Sequence, residues 1–244
     1  MSFTNPYNQF IMKKILLFVT VLIFTAGIYA QGDLENKGYF RIGYSKPTKT
    51  YAGITDNDVW SEGNVKRHGL ILETGKFFYF NGLNFPDGLK LGINADWVSF
   101  KWHLINVKEY DQKLNNMLFG SKVGPVFSYS PVDGMAIDAY TKFNIEWFGL
   151  TVWKNEAIDE SELFMGFFGP GYSFGLNFRY NALIVGFEFS RTWNKLKYLD
   201  EDEGLVEYNL NDALYYMIGP GVGIDNDADY TSVPAFNITI GLAF

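Results

Sequence analysis

The sequence predicts an all-β fold, an eight-stranded antiparallel up-and-down barrel crossing a membrane, and three observations predict it. Past residue 31, apolar and polar residues alternate, which gives each strand two unlike faces, while helical period is nearly absent. The alternating stretches number eight, an even count. The connections between them are alternately long and short, the habit of membrane barrels with short inner turns and long outer loops. A soluble sandwich has no reason to keep that rhythm.

Composition agrees. Of 244 residues 48% are hydrophobic, yet mean hydropathy is -0.05, so the apolar residues are dispersed instead of gathered into helical spans. With no cysteine the chain has no disulfide, no thiol nucleophile and no cysteine for a lipid anchor.

Read in order, the first element is MKKILLFVTVLIFTAGIYA, Met12 to Ala30, with two lysines, an apolar run from Ile15 to Phe24 and a small residue before Gln31. It predicts a secretory signal peptide, with Met12 as an alternative start to Met1, so residues 1–30 are set apart from a barrel domain over 31–244. Their removal takes Lys13 and Lys14 and no acid, which makes the net charge of -7 more negative and disfavours nucleic acid as a partner.

Strands follow at about 38–45 and 68–80, separated by a long connection over 46–67. On the second strand Lys76 falls on the lipid face, and a bulge at Gly75 would relieve it. A short turn over 81–87 leads to the third strand, 88–104, where the apolar parity shifts after Trp97, predicting a bulge or the membrane exit. After a long connection over 105–117 comes the strand 118–129, in which Pro125 removes a ladder donor and implies a local irregularity. A short turn, 130–133, leads to the clearest alternation, Gly134 to Trp147: Ile137, Ala139, Thr141, Phe143, Ile145 and Trp147 share one face. A long connection over 148–170, the strand 171–180, a turn at Asn181 and the strand 182–193 come next. The longest connection, 194–232, precedes the last strand, 233–244. Residues 205–210 and 213–223 offer a ten-strand alternative if both span, or a hairpin above the membrane.

Parity assigns the lumen face Arg41, Lys90, Lys122, Lys142 and Arg179 against Glu73, Asp96, Asp138, Glu146 and Glu188. An eight-stranded barrel is only wide enough for its side chains to fill it, so these charges should pair across strands as a neutral plug. A narrow water-filled passage is the alternative. Trp97, Trp102, Trp147 and Trp193 are expected as an outer aromatic girdle, with Trp60 and Trp153 in outer loops and Phe78, Phe80, Tyr129 and Phe244 at inner ends.

The last long connection holds most of the net negative charge, including Asp200 to Glu203 and the spaced run Asp225, Asp227 and Asp229. That run is a weak metal candidate: Tyr230 occupies the glycine position of an EF-hand loop, so a solvated acidic loop is the reading, with no metal and no cofactor expected. The two histidines, His68 and His103, lie near outer ends, and Ser99 and Ser190 are serines of similar height. No His-Ser dipeptide or Gly-x-Ser-x-Gly motif accompanies them, so no catalytic residues are assigned. The GPG at 169–171 and GPGVG at 219–223 lack a following helix and lysine, and read as turns or bulges.

The Ala30-Gln31 junction, the segment KVGPVFSYSP from Lys122 to Pro131 and the final strand FNITIGLAF together resemble the bacterial outer-membrane β-barrels of the small OmpA/OmpX type, in a form typical of Bacteroidota. The final strand, with Phe236, Ile238, Ile240, Leu242 and Phe244 on one face, resembles the terminal signal read by the barrel-assembly machinery; Leu242 stands where an aromatic is common. The resemblance implies an exported, non-enzymatic protein of the outer membrane, with membrane lipids, lipopolysaccharide and the assembly machinery as partners. It leaves open a narrow porin-like channel, a lipid-modifying enzyme, and an accessory subunit of a secretion or surface complex.

Overall fold

The structure, a computed structural model, describes residues 34–48, 65–107, 112–155, 160–194, 196–200, 204–207 and 231–244. The segments expected as signal peptide, Trp60, the Asp225 to Asp229 run and residues 213–223 lie outside these.

The strands are β1 (Gly38–Pro47), β2 (Val65–Tyr79), β3 (Leu89–Val107), β4 (Gln112–Tyr129), β5 (Met135–Asn155), β6 (Glu160–Tyr180), β7 (Leu183–Asn194), β8 (Leu196–Asp200), β9 (Gly204–Glu207) and β10 (Thr231–Ala243). Eight of them, β1 to β7 and β10, form one closed antiparallel wall, because β10 pairs with both β7 and β1 and β5 pairs with β6. Closure is tight at the inner end, where Gly38 and Phe244 exchange both backbone hydrogen bonds at 2.8 Å. A closed wall leaves no unpaired edge in an apolar medium, which is what a sheet must achieve to cross a bilayer.

Following partners around the wall from Ser45 through Asn237, Glu188, Gly175, Tyr140, Val126 and Gly92 leads to Tyr79, although β1 meets β2 with Tyr44 opposite Leu70. The register is therefore displaced by about ten residues per circuit, a stagger that tilts the strands by roughly 40°.

Two expectations about connections are corrected. Strand β4 begins at Gln112, β5 runs to Asn155 and β6 starts at Glu160, so most of 105–117 and 148–170 continues the wall as hairpins instead of forming long loops. Trp153 accordingly belongs to β5 and the Gly169 to Gly171 segment to β6. The ten-strand alternative also fails for the described residues: β8 pairs with the outer end of β6 and β9 pairs with β8, a small hairpin outside the eight-stranded circuit.

The parity shift in the third strand is a bulge. Asp96 faces Lys122 but Ser99 faces Gly120, so Trp97 and Val98 together oppose Ser121 and both point outward. Ser121 Oγ donates to the freed Trp97 carbonyl at 2.6 Å, which meets the hydrogen-bonding demand the bulge creates. A second irregularity of this kind places Trp147 and Phe148 side by side on the outer surface of β5. The β2–β3 register does shift at the expected place, between Thr74 and Gly75, but the extra residue sits in β3, and Lys76 stays on the outer face with its ammonium 5.4 Å from the Phe78 ring, reaching towards the inner rim. At Pro125 the β4–β5 register is unchanged, but Gly124 and Pro125 have no partner there.

Glycine has a packing reason at two interior positions. A Cβ on Gly75 would stand 2.6 Å from the Tyr39 hydroxyl oxygen, and one on Gly175 would stand 2.7 Å from that of Tyr140. Each bare glycine lets a tyrosine lie flat against the wall with its hydroxyl aimed at the lumen's carboxylates. Gly75→Val should destabilise the barrel by about 1–3 kcal/mol through overpacking, seen as a lower urea midpoint for unfolding from a bilayer. Gly82→Ala, in open space, should leave the midpoint unchanged.

Candidate functional site

With apolar side chains outward, alternation turns the polar half of every strand into the barrel interior. The interior is filled in three tiers.

The inner tier is mostly aromatic and aliphatic. Tyr39, Phe77, Tyr79, Val126, Ala136, Tyr140, Ile184, Ala243 and Leu34 form one buried cluster, with Tyr39 and Phe77 centroids 4.9 Å apart and Phe77 and Tyr79 stacked at 6.1 Å. Residues 34–37 close the mouth from below: Phe77 donates its backbone N–H to the Lys37 carbonyl at 2.9 Å, and Tyr79 donates its own to Asn36 Oδ1 at 2.7 Å. Arg179 makes a two-point bond with Asp138, Nε to Oδ2 at 2.9 Å and Nη2 to Oδ1 at 2.8 Å, while its guanidinium lies 4.8 Å from the Phe77 centroid. Ser128 donates to the same carboxylate at 2.6 Å.

The middle tier sets three cations against three carboxylates. Lys122 bridges Glu73 and Glu188 at 2.5 Å each, Arg41 reaches Glu73 at 2.8 Å and Asp96 at 3.4 Å, and Lys142 pairs with Asp96 at 2.6 Å. The spare capacity is taken up locally: Tyr39 donates to Asp96, Tyr140 donates to Glu188 at 3.2 Å, and Arg41 Nη1 donates to Asn177 at 2.8 Å. All six charged residues are buried. Oxygens of Glu73, Asp96 and Glu188 lie within 4.8 Å of one another, a spacing that could hold a metal ion. Arg41, Lys122 and Lys142 already serve as their counter-ions, and a divalent cation would have to displace them.

The outer tier carries Lys101 with Glu146 at 3.2 Å and a chain of neutral groups. Ser45 Oγ lies 2.6 Å from Asn237 Oδ1 and 2.7 Å from His103 Nε2. Asn237 Oδ1 can only accept, so the serine's single proton goes there and His103 Nε2 carries the hydrogen donated to Ser45. Asn237 in turn donates to Glu188 at 3.1 Å and Ser190 at 3.2 Å, joining this chain to the middle tier.

Of the ten residues assigned to the lumen by parity, nine are buried inside in these pairs. Lys90 is the departure: it is half-buried at the inner mouth, where it donates to the Leu34 carbonyl at 2.8 Å. Its place in the charge balance is taken by Lys101, which sequence reading missed although the Trp97 bulge that inverts the parity had been anticipated. The serine beside His103 is Ser45, not Ser99 or Ser190. No acid orients the other ring nitrogen, Nδ1, which has no partner among the described residues, and Ser45 is fully buried, so the pair lacks the third member and the access that a hydrolytic triad requires.

Trp102 and Trp147 are exposed on the outer surface, and Trp193 is half-exposed beside Tyr172 and under Arg191 at 5.0 Å. Trp97 departs from the expected outer girdle: it stands at the β3 bulge five residues inward of Trp102, edge-on to Phe78 of the inner half of β2. His68 is on the exposed face of β2. In β10, Phe236, Ile238, Ile240, Leu242 and Phe244 all point away from the lumen.

No family model and no curated protein matches the chain. Among solved structures it is similar to Ail, the attachment invasion locus protein of Yersinia pestis, at 13% identity and a TM-score of 0.43, covering 86% of this chain and all of that one. A structure of Ail with the heparin analogue sucrose octasulfate matches at 11% identity and a TM-score of 0.39, over 86% of this chain and 100% of that one. Neisserial surface protein A matches at 8% identity and 0.37, over 85% of this chain and 97% of that one. The fold described above rests on the strand pairing itself.

Lys122→Met would leave Glu188 without its counter-ion and Glu73 with Arg41 alone, and should cost about 3–5 kcal/mol. Replacing both members of the outer pair, Lys101→Met with Glu146→Leu, should cost much less than either single change. Urea unfolding of the four variants in one lipid gives both comparisons.

Proposed function

We propose that this protein is an integral outer-membrane β-barrel that works as a rigid, non-enzymatic scaffold presenting its outer hairpins and acidic loop to the cell surface. The observation that carries the reading is the inversion of polarity across the wall. The outer face holds Phe40, Ile42, Phe119, Val123, Phe143, Ile145, Phe174, Leu176, Ile238 and Ile240, all well exposed, while Arg41, Lys122, Asp138, Lys142, Glu146 and Arg179 of the same strands are buried inside. A soluble protein gains nothing from an apolar ring around a charged core; a lipid solvent demands it.

The same interior argues for a closed lumen over a porin-like channel. The ion pairs of each tier balance, the inner tier is packed with aromatic rings, and residues 34–37 cover its mouth, which favours a filled interior over a wet path. Export by the first thirty residues, recognition of β10 by the assembly machinery, contact with lipopolysaccharide and a place in a surface or secretion complex belong to the same reading. Against lipid modification stands the incomplete Ser45 and His103 pair.

Folded protein should migrate differently on SDS gels before and after boiling and should leave planar bilayers silent at all voltages tested. Identical migration in an outer-membrane fraction would remove the barrel reading. A steady, voltage-independent conductance would replace the plug with the channel.

A further inference from the structure

An Asn-Gly pair between two strands has one ordinary structural use, the two-residue hairpin turn in which both residues take positive φ. The chain has a single such pair, Asn81–Gly82, and it is not used that way. It lies in the turn from Phe80 to Gly88 that joins β2 to β3, with both residues exposed, and neither has positive φ. The turn is held on either side of the pair. Phe80 donates its N–H to the Leu91 carbonyl at 3.0 Å, Phe85 donates to Leu83 at 3.1 Å, and Leu89 donates to Pro86 at 3.0 Å. The Gly82 N–H takes part in none of the backbone bonds of the turn among the described residues, and a Cβ built on Gly82 would meet no atom within 4 Å.

The neighbouring turns show what a pinned pair looks like. The two Asp-Gly pairs of the chain, Asp87–Gly88 and Asp133–Gly134, hold their glycines at φ 79 and 81. Each glycine is also tied to another turn: the Gly88 carbonyl accepts the Ser130 N–H at 2.7 Å, and the Gly134 carbonyl accepts the Asn181 N–H at 2.6 Å. Asn84 shares the β2–β3 turn and its exposure with Asn81, but Phe85 follows it in place of a glycine. Exposure, an unbonded amide and a following residue without a Cβ therefore coincide at Asn81 and not at these three positions.

We infer that Asn81–Gly82 is a site of spontaneous, enzyme-independent deamidation. The Gly82 amide nitrogen gives its proton to water and attacks Cγ of Asn81. A C–N bond forms, the Cγ–Nδ2 bond breaks, and the departing nitrogen takes up a proton and leaves as ammonia, which closes a succinimide ring. Water then opens the ring at either carbonyl. Opening at the side-chain carbonyl leaves an aspartate, and opening at the backbone carbonyl leaves an isoaspartate, whose main chain is longer by a carbon. The sum is uptake of water and release of ammonia, with nothing oxidised or reduced. Glycine is the residue best suited to the attack, because it reaches the backbone conformations of ring closure without a Cβ penalty. The product places a carboxylate beside the exposed Phe80 and Leu83. The change is one-way, so the converted fraction records the age of the chain. It depends on the turn alone, whichever solvent the wall faces.

The test incubates the folded mature chain in mildly alkaline heavy-oxygen water, digests samples quickly at acid pH, and follows each asparagine by peptide mass spectrometry. Heavy oxygen marks conversion during the incubation and excludes conversion during digestion. The peptide with Asn81 should gain the label, with isoaspartate distinguished from aspartate by fragmentation. Over the same period Asn84 should stay intact, and Asp87 and Asp133 should show no isoaspartate. Gly82→Ala, a change into open space, should slow conversion about tenfold, because a Cβ on the attacking residue penalises ring closure. Conversion of Asn81 no faster than that of Asn84 would overturn the inference, and this comparison within wild type stands even if the variant does not fold. Equal rates in wild type and folded Gly82→Ala would overturn it as well, as would isoaspartate forming at Asp87 or Asp133 as fast as at Asn81.

Discussion

Charge neutrality inside a closed wall is the constraint on which the rest of the structure depends. Once eight strands close with apolar residues outward, every polar side chain of the alternation is driven into an interior too narrow for bulk water, and an ion left alone there costs several kcal/mol. The sequence meets this with balance at each level separately: Arg179 with Asp138 near the inner end, Arg41, Lys122 and Lys142 with Glu73, Asp96 and Glu188 in the middle, and Lys101 with Glu146 towards the outside. Balance level by level matters because Coulomb attraction in a low-dielectric interior is large only over a few ångströms; equal totals placed apart would not have served. The tyrosines complete the arrangement. Tyr39 and Tyr140 each set a ring against a bare glycine and a hydroxyl against a carboxylate, so a single residue fills volume and supplies a donor.

The plug and the scaffold are two consequences of one packing problem. Aromatic rings concentrate in the inner tier, where residues 34–37 also fold across the mouth, and neutral amides and hydroxyls concentrate in the outer tier. A barrel whose contents are bonded wall to wall cannot readily flex, because shifting one strand breaks pairs made to several others: Lys122 of β4 holds β2 and β7, and Arg41 of β1 holds β2, β3 and β6. Rigidity of this origin suits the support of surface hairpins better than it suits a gated passage.

Much of this was legible in one dimension, because period two maps directly onto inside and outside. Eight stretches, the bulge after Trp97 and nine of the charged residues buried in lumen pairs follow from parity alone. What was misread follows from where parity loses contrast. Beyond the membrane the outer face no longer needs to be apolar, so Asn106, Lys113, Asn115 and Lys154 alternate with polar neighbours such as Asn116 and Thr151, and strand continuation reads as loop. Lys101 was lost at the bulge, since one extra residue exchanges the faces of everything after it. Ser45 and His103 are 58 residues apart and meet only across the lumen, a contact that strand parity permits but spacing does not announce.

The sorting of charge by sign is the last feature that packing leaves undecided. Interior carboxylates are required because interior cations are present, and the reverse holds equally, but the outward faces of the strands answer to no such internal demand. A solvated rim would carry both signs, and a chain with 27 acidic residues against 20 basic ones would place acids there more often than not. Among residues whose side chains are described, the charged groups at outward positions of the wall are all cations. Solubility alone is served by either sign. Pairing inside the lumen therefore accounts for the wall's carboxylates, which all face inward among residues whose side chains are described, and not for the cations outside it.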